Sequence, residues 1–316
     1  MLRGTRRALA LKTDCNGRYV YLDPREGGRI AVAEAARNVA CAGGRPMAIT
    51  NCLNFGNPRK PDVFFQFREA VAGMGEACQA LGTPVTGGNV SFYNESPTGA
   101  VYPTPTIGMV GLLDDVEHAT TAVFRTTGNS IILLGENTGD IGASEYLRWI
   151  HDVVAGRPPA CDLQAEARLI EALLEAMADG TVASAHDCSD GGLAVALAEC
   201  CLMDEDAPRG ASVDLTRWSA LPLRALLFGE AQGRVIVSTP DPAAVLAIAA
   251  RHGVPGMEIG TVGEIGGSVI VTVGKQRFES PVSRLAAAYH GAVPAMMSKV
   301  ATATDEDEPA LAGRSS

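Results

Sequence analysis

Three short polar runs in this chain hold residue types that handle phosphate and divalent cations. The run 87–95 opens on two glycines and then places Asn89, Ser91, Tyr93, Asn94 and Glu95 within a short span. Glycines let a backbone approach a phosphate closely, and amide or hydroxyl side chains bind phosphate oxygens or complete a Mg2+ shell. The run 51–58, Asn-Cys-Leu-Asn-Phe-Gly-Asn-Pro, is of the same kind. Both compositions suit ordinary solvated turns equally well, and residue types alone leave that choice open. The run Asp187-Cys-Ser-Asp-Gly-Gly192 is more pointed. It sets two carboxylates, a hydroxyl and two glycines at the start of a helical stretch, which suits a metal-bridged phosphate. Capping of that helix by Ser189 or Asp190 is the structural alternative, and the two roles are compatible.

Other chemistries find little support. The five histidines, at 118, 151, 186, 252 and 290, are scattered, and only His186 adjoins one of the runs, where it reads as structural. No Ser/His/Asp arrangement, Walker loop or GxGxxG after a strand is present. The eight cysteines (15, 41, 52, 78, 161, 188, 200, 201) form no CxxC pair and no metal-ligand spacing with the histidines. Most lie in apolar patterns, such as Cys41 and Cys200, which predicts reduced, buried thiols and a cytoplasmic protein. Residue spacing therefore supports a phosphate-and-Mg2+ site without naming a reaction, and it singles out no catalytic residue.

The runs need strands and helices to hold them. Tyr19–Leu22 reads as a strand, with Pro24 and Gly27-Gly28 marking a turn. Residues 29–42 read as an Ala-rich helix with Ile30, Ala33, Arg37 and Cys41 on one stripe and Glu34 and Asn38 on another. Pro46–Thr50 reads as a strand running into the loop 51–58, and 61–81 as a helix with Phe64, Phe67, Val71, Met74 and Cys78 at helical steps. Pro84–Thr86 reads as a strand before the loop 87–95, and Ile107–Leu113 as another. A second unit starts near Arg125. It holds strands at Ser130–Leu134 and Val182–His186, and helices at Leu163–Met177 and from Gly192 through Leu202. Residues 235–273 read as a βαβ-type ending, with Ile259–Val262 as a further strand. Each polar run thus follows a strand, where open α/β architectures place ligands.

The chain has 316 residues, about two domains' worth, with hydrophobic residues at 47% and charged residues at 20%, a globular balance. A net charge of −10 argues against nucleic acid as a partner. No stretch approaches the roughly 18 apolar residues that would span a bilayer, so no membrane partner is expected. The expected division is 1–124, 125–298 and a disordered acidic tail over 299–316, where residues 302–316 lack periodicity.

At these runs the sequence resembles the glutamine-dependent phosphoribosylformylglycinamidine synthases of purine biosynthesis. Asp14-Cys-Asn with Arg18–Pro24, Ile30–Asn38, Cys52–Pro58, Thr86–Glu95, Tyr102–Pro105 and Ser189–Leu193 carry the likeness. It runs in order from about residue 8 to about residue 298, and it is closest to the synthetase subunit of the small, multi-subunit form of the enzyme. That subunit has two related halves, each an N-terminal and a C-terminal α/β domain of the aminoimidazole ribonucleotide synthetase type. This chain resembles the second half, an α/β (α+β) fold, starting late in its first domain. The half with the catalytic histidines and most metal carboxylates has no counterpart here. The CLNFGNP and GGNVSFYNE runs set the chain apart from other ligases and kinases of the superfamily.

The resemblance implies an ATP-dependent ligase. ATP phosphorylates the amide oxygen of formylglycinamide ribonucleotide, and ammonia from glutamine displaces the phosphate. Its implied cofactors are ATP and Mg2+. Its implied partners are the N-terminal half of the synthetase, a glutaminase subunit and a small bridging subunit. By motif position Asn51 and Gly88 contact ATP, Asn89 ligates Mg2+ and Ser91 touches the substrate. Many members carry an acid where this chain has Asn51, and an amide accepts a hydrogen bond without adding charge. Pseudo-symmetry implies an auxiliary Mg2+–nucleotide site at Asp14, Glu34, Asn38, Asp187 and Ser189. Glu34 and Asn38, four apart, share a helix face. A non-catalytic nucleotide-binding or assembly module is the alternative function.

Overall fold

A computed structural model describes residues 1–306. The first unit runs β1 (Ala8–Asp14), α1 (Gly17–Leu22), α2 (Pro24–Cys41), β2 (Arg45–Asn54), α3 (Pro61–Leu81), β3 (Val85–Ser91), a ribbon of β4 (Glu95–Ser96) and β5 (Gly99–Ala100), and β6 (Thr104–Leu113). Its four-stranded sheet has the order β1-β6-β2-β3, antiparallel except for the parallel pair β2/β3. The second unit runs β7 (Ser130–Leu134), α4 (Glu145–His151), α5 (Leu163–Ala178), β8 (Ser184–Asp187), α6 (Gly192–Leu202), β9 (Arg209–Asp214), α7 (Leu223–Phe228), β10 (Val235–Thr239), α8 (Pro242–Arg251), β11 (Gly256–Ile265), β12 (Ser268–Val273), β13 (Gln276–Pro281) and α9 (Val282–Glu306). Its seven-stranded mixed sheet has the order β13-β12-β9-β11-β7-β10-β8. The α/β (α+β) class expected from the sequence is the one observed.

Several local expectations are corrected. Residues 19–22 are helical, because the Asn16 side chain accepts from the Arg18 and Tyr19 amides and starts α1. Tyr19 and Val20 are adjacent and both buried, which alternation along a half-buried strand does not favour. Pro24, Gly27 and Gly28 form no turn: Asp23 caps α2 and Pro24 sits in its first turn. The two glycines are there for close approach. A Cβ on Gly27 would lie 2.5 Å from Val20 N, and one on Gly28 2.5 Å from Ala70 O of α3. Residues 51–54 and 87–91 belong to β2 and β3 and are not loops. Residues 87–91 lie on the exposed edge strand β3, while 51–54 lie on the interior strand β2, which pairs with both β3 and β6.

The ending over 235–273 is not a simple βαβ unit. β10 and β11 both run antiparallel to β7, which lies between them, while β12 pairs in parallel with β9. The expected tail over 299–316 is helical over 299–306, which continue α9, and its remainder, 307–316, lies outside the described residues.

The two units share one core. Alternation along β7 sends Ile132 and Leu134 towards α5, α2 and the first sheet, and Ile131 and Leu133 to the opposite face, against α6 and β9. Val39, Ile49 and Met109 of the first unit thus belong to the same buried cluster as Leu173, Val235 and Val237 of the second. That shared cluster fixes the end of β1 opposite the end of β8.

Candidate functional site

Acidic side chains converge at this junction. Asp14 ends β1, and its register partner is the buried Ile107, so it faces inward. Glu34 and Asn38 come from one face of α2, and Asp187 ends β8. Asn38 Nδ2 donates to the Glu34 carbonyl at 3.0 Å and to Asp187 Oδ2 at 3.1 Å. Arg37 Nη2 stands 3.7 Å from the same Asp187 oxygen. Asp190 accepts from Asn16 Nδ2 at 2.9 Å, a bond between the units.

This cleft holds more negative charge than its neighbours neutralise. Burial, opposed by Lys12 and reinforced by Asp187, pushes the Asp14 carboxyl up to about 7. Burial and then Asp14 and Asp187 hold Glu34 well above the usual carboxylate range. Asp14 Oδ2 is buried without a hydrogen-bond partner, and Lys12 Nζ is 3.8 Å from it. Hard carboxylate oxygens around an unpartnered buried acceptor fit a divalent cation of the Mg2+ type. Among the described residues no three His, Cys, Asp or Glu side chains form a finished metal cage. The acids converge without closing on a single point.

Ser189 sits on the turn between β8 and α6, where its carbonyl accepts from Gly192 N at 3.0 Å. Neither Ser189 nor Asp190 caps α6. The cap position is Gly191, at φ 81, and it makes no side-chain capping bond. Asp190 is held by Asn16 instead. Of the amides that open α6, Gly191 N donates to Glu230 Oε1 at 2.8 Å and Gly192 N to the Ser189 carbonyl. His186 is structural, with Nε2 2.9 Å from Glu199 Oε2 of α6.

The other candidates lie on the first sheet, on both faces of β2 and β3. Register places Asn51 beside Gly88 and Ile107 on the helix-facing side, and Cys52 beside Asn89 and Thr106 on the opposite side. A Cβ on Gly88 would come 2.1 Å from Asn51 Oδ1, so the glycine makes room for that amide. Ser91 follows Asn89 on the outer side, next to Asn54, and its Oγ donates to Asn94 Oδ1 at 3.3 Å. Asn89, Cys52, Thr50, Thr13 and Thr106 line a shallow hollow of about 350 Å³. The structure thus gathers Asp14, Glu34, Asn38 and Asp187 in one place, sets Asn51 and Gly88 further along the inner-face row Asp14–Ile107–Asn51–Gly88, and puts Asn89 and Ser91 on the opposite face.

Residue spacing passed over Arg37. It is fully buried, with Nη1 2.5 Å from Glu166 Oε1 and Nη2 3.0 Å from Gln232 Oε1, both in the second unit. Burial pulls Arg37 down, but Glu166, Asp187 and Glu34 outweigh it and leave the guanidinium above its ordinary range. The available signal was its place on the apolar stripe with Ile30, Ala33 and Cys41, where a solvated arginine does not belong.

Comparison with known proteins matches residues 1–113 to the N-terminal domain of AIR synthase related proteins, and residues 126–272 to the C-terminal domain. The chain belongs to the AIR synthase related family. Within that family it is 51% identical over 300 residues to the phosphoribosylformylglycinamidine synthase subunit PurL of Chlorobium luteolum, covering 92% of this chain and 39% of that protein. It therefore spans about two fifths of the curated relatives it matches. Thermotoga maritima PurL complexed with FGAR shares the fold, with a TM-score of 0.75 at 24% identity, over 89% of this chain and 46% of that one. The same protein complexed with ATP superposes with a TM-score of 0.70 at 23% identity, over 89% and 44%. The PurLQS structure of that organism gives 0.71 at 23%, over 89% and 45%. The family-level resemblance of the motifs is thereby matched by relatives along nearly the whole chain. Among the described residues no helix is long and apolar enough to cross a membrane.

Proposed function

We propose that this chain is the C-terminal half of the synthetase subunit of a phosphoribosylformylglycinamidine synthase. In this reading it works in the cytoplasm with an N-terminal half, a glutaminase subunit and a small bridging subunit. The reaction joins ammonia from glutamine to formylglycinamide ribonucleotide at the expense of ATP. The units 1–124 and 125–298 are its two synthetase-like domains, in keeping with the two family matches and the two sheets. The relatives named PurL, and the complexes of Thermotoga maritima PurL with FGAR and with ATP, support that chemistry. The likeness to PurLQS supports further subunits.

One observation carries this reading: the outer face of the first sheet is open and graded. Rows of register partners cross it in order, Leu11–Val110–Ala48, then Thr13–Gly108–Thr50–Gly87, then Thr106–Cys52–Asn89, then Thr104–Asn54–Ser91. It is apolar at one end, with Leu9 51% and Leu11 77% exposed, and polar at the end that holds Asn89 and Ser91. A second synthetase half laid on the apolar rows would also close over the polar ones. Asn89 would then hold Mg2+ and Ser91 would bind substrate, while Asn51 of β2 and Gly88 of the edge strand β3, neighbours on the helix-facing side, meet ATP. Bound Mg2+ supplies positive charge that offsets the phosphate oxygens. Asn89 offers a neutral amide oxygen to the ion, and Ser91 a hydroxyl that orients the substrate beside the reacting phosphate.

The reading of this chain as a nucleotide-binding module has its own support, because Asp14, Glu34, Asn38 and Asp187 come together without any other chain. An internal nucleotide cleft is compatible with the synthetase reading, whose other cleft is shared; a non-catalytic module would keep the internal cleft alone.

An exposed apolar sheet face drives association. Sedimentation of the purified chain is expected to show dimers or larger species, and Leu11→Lys is expected to shift them to monomer. A wild-type monomer at high concentration would count against a partner-binding role for this face.

A further inference from the structure

We propose that Glu230 is a positioning residue for the internal cleft: it holds the Asp187–Gly192 turn of the second unit against α1 of the first. The proposal rests on the reading of that cleft as a Mg2+–nucleotide site. Glu230 is fully buried and touches three separate elements. Its Oε1 accepts from Gly191 N and from Glu145 N, both at 2.8 Å, and its Oε2 accepts from the Tyr19 hydroxyl. Gly191 directly follows Asp190, and Glu145 opens α4. Tyr19 lies in α1, close after Asn16, which donates to Asp190. Arg18 of α1 pairs in turn with Glu145. One carboxylate therefore ties together the acidic turn, the start of α4 and the segment that follows Asp14.

Glu230 is itself held from behind. Its amide donates to the Asp140 carbonyl at 2.7 Å. Arg234, fully buried, donates from Nη2 to the Gly229 carbonyl at 2.7 Å and from Nε to the Ala231 carbonyl at 2.9 Å, gripping the backbone on both sides of Glu230. Its Nη1 donates to Asn137 Oδ1 at 2.9 Å. A buried cation whose hydrogen bonds go to neutral oxygens, placed to fix one short segment, makes that segment rigid. In this arrangement Glu230 touches no ligand. It sets where Asp187 and Asp190 stand relative to Asp14 and Glu34, and groups that orient metal ligands commonly change affinity about 10–100-fold when removed.

The test uses the full chain and Mg·ADP, with titration calorimetry at a temperature where near-ultraviolet circular dichroism shows every variant folded. Tyr19→Phe removes the tie between the units and leaves both amide bonds. Glu230→Gln keeps an acceptor for the two amides and a polar partner for the tyrosine oxygen. Tyr19→Phe and Glu230→Ala are expected to weaken Mg·ADP about tenfold or more. Glu230→Gln is expected to stay within about threefold of wild type, since it keeps those contacts. Lowered melting temperatures with unchanged affinity in the folded variants would make Glu230 a support of the fold alone and overturn the proposal. Failure of wild type to bind Mg·ADP would instead overturn the reading of the cleft, and the proposal with it.

Discussion

Replacing Arg37 by Met is expected to destabilise the chain by about 3–5 kcal/mol, because it strands buried acids without their cation. Glu166 is 1% exposed and, among the described residues, takes its one close cationic contact from Arg37, at 2.5 Å. Asp187, at 2% exposed, lies 3.7 Å from the same guanidinium, with Asp14 and Glu34 close enough to feel its charge. Burial already holds Glu166 above the usual carboxylate range despite Arg37, so removing the cation pushes it towards the neutral acid. For a chain of 316 residues each kcal/mol moves the melting temperature by about 1.5 °C, so a drop of about 4–8 °C is expected. The double variant Arg37→Met with Glu166→Leu should recover much of the loss, since a buried pair replaced by apolar groups is often neutral or better. Calorimetric melting of the two variants decides the matter. A loss under about 1 kcal/mol for Arg37→Met would mean that the acids find another partner.

Asp187→Asn is expected to weaken Mg·ADP binding on the order of 100-fold, while Asn89→Ala leaves it unchanged. Carboxylates around a divalent ion gain most of their affinity from charge, and the substitution keeps shape and hydrogen bonding while removing that charge. Asn89 lies on the outer face of the first sheet, among Cys52 and Thr106, and shares nothing with the internal acids. A ligand that binds the folded chain raises its melting temperature by mass action, so a thermal shift titration gives the comparison cheaply. Equal loss from both substitutions would show that the two groups serve one site.

What the sequence shows most clearly here is what depends on period and local chemistry. Helices α3 and α5 were legible as helices from their period, but only Met74 and Cys78 of the expected α3 stripe are buried: Phe64 and Val71 are exposed, and Val63, Ala70 and Ala77 face the core instead. Helix α1 was not, because six residues are too few to show a period and its start depends on the Asn16 side chain turning back on the backbone. The glycines of α2 looked like a turn because their reason is a neighbour: α3 passes so close that Gly28 has no room for a Cβ beside Ala70. At the site, Glu34 and Asn38 were legible as a pair from their spacing, and the acidic turn from its composition. That Asp14 joins them was implied only by the family resemblance, since it depends on the packing of β1 against α2. The roles of Arg37 and Glu230 were hidden for the same reason. Each acts on the other unit, with Glu166 lying 129 positions from Arg37 and Tyr19 lying 211 from Glu230.

As one half of a synthetase, this chain should catalyse nothing until the other half joins it. The decisive measurement is ATP-dependent formation of formylglycinamidine ribonucleotide from formylglycinamide ribonucleotide and ammonia. It is made with the chain alone, and after co-expression with the N-terminal portion of a PurL relative that this chain does not span. No turnover alone and clear turnover in the pair is the expected result, with Asn89→Ala and Ser91→Ala lowering the rate of the pair. Turnover by the chain alone, or a stable pair that binds both substrates yet forms no product, would contradict it.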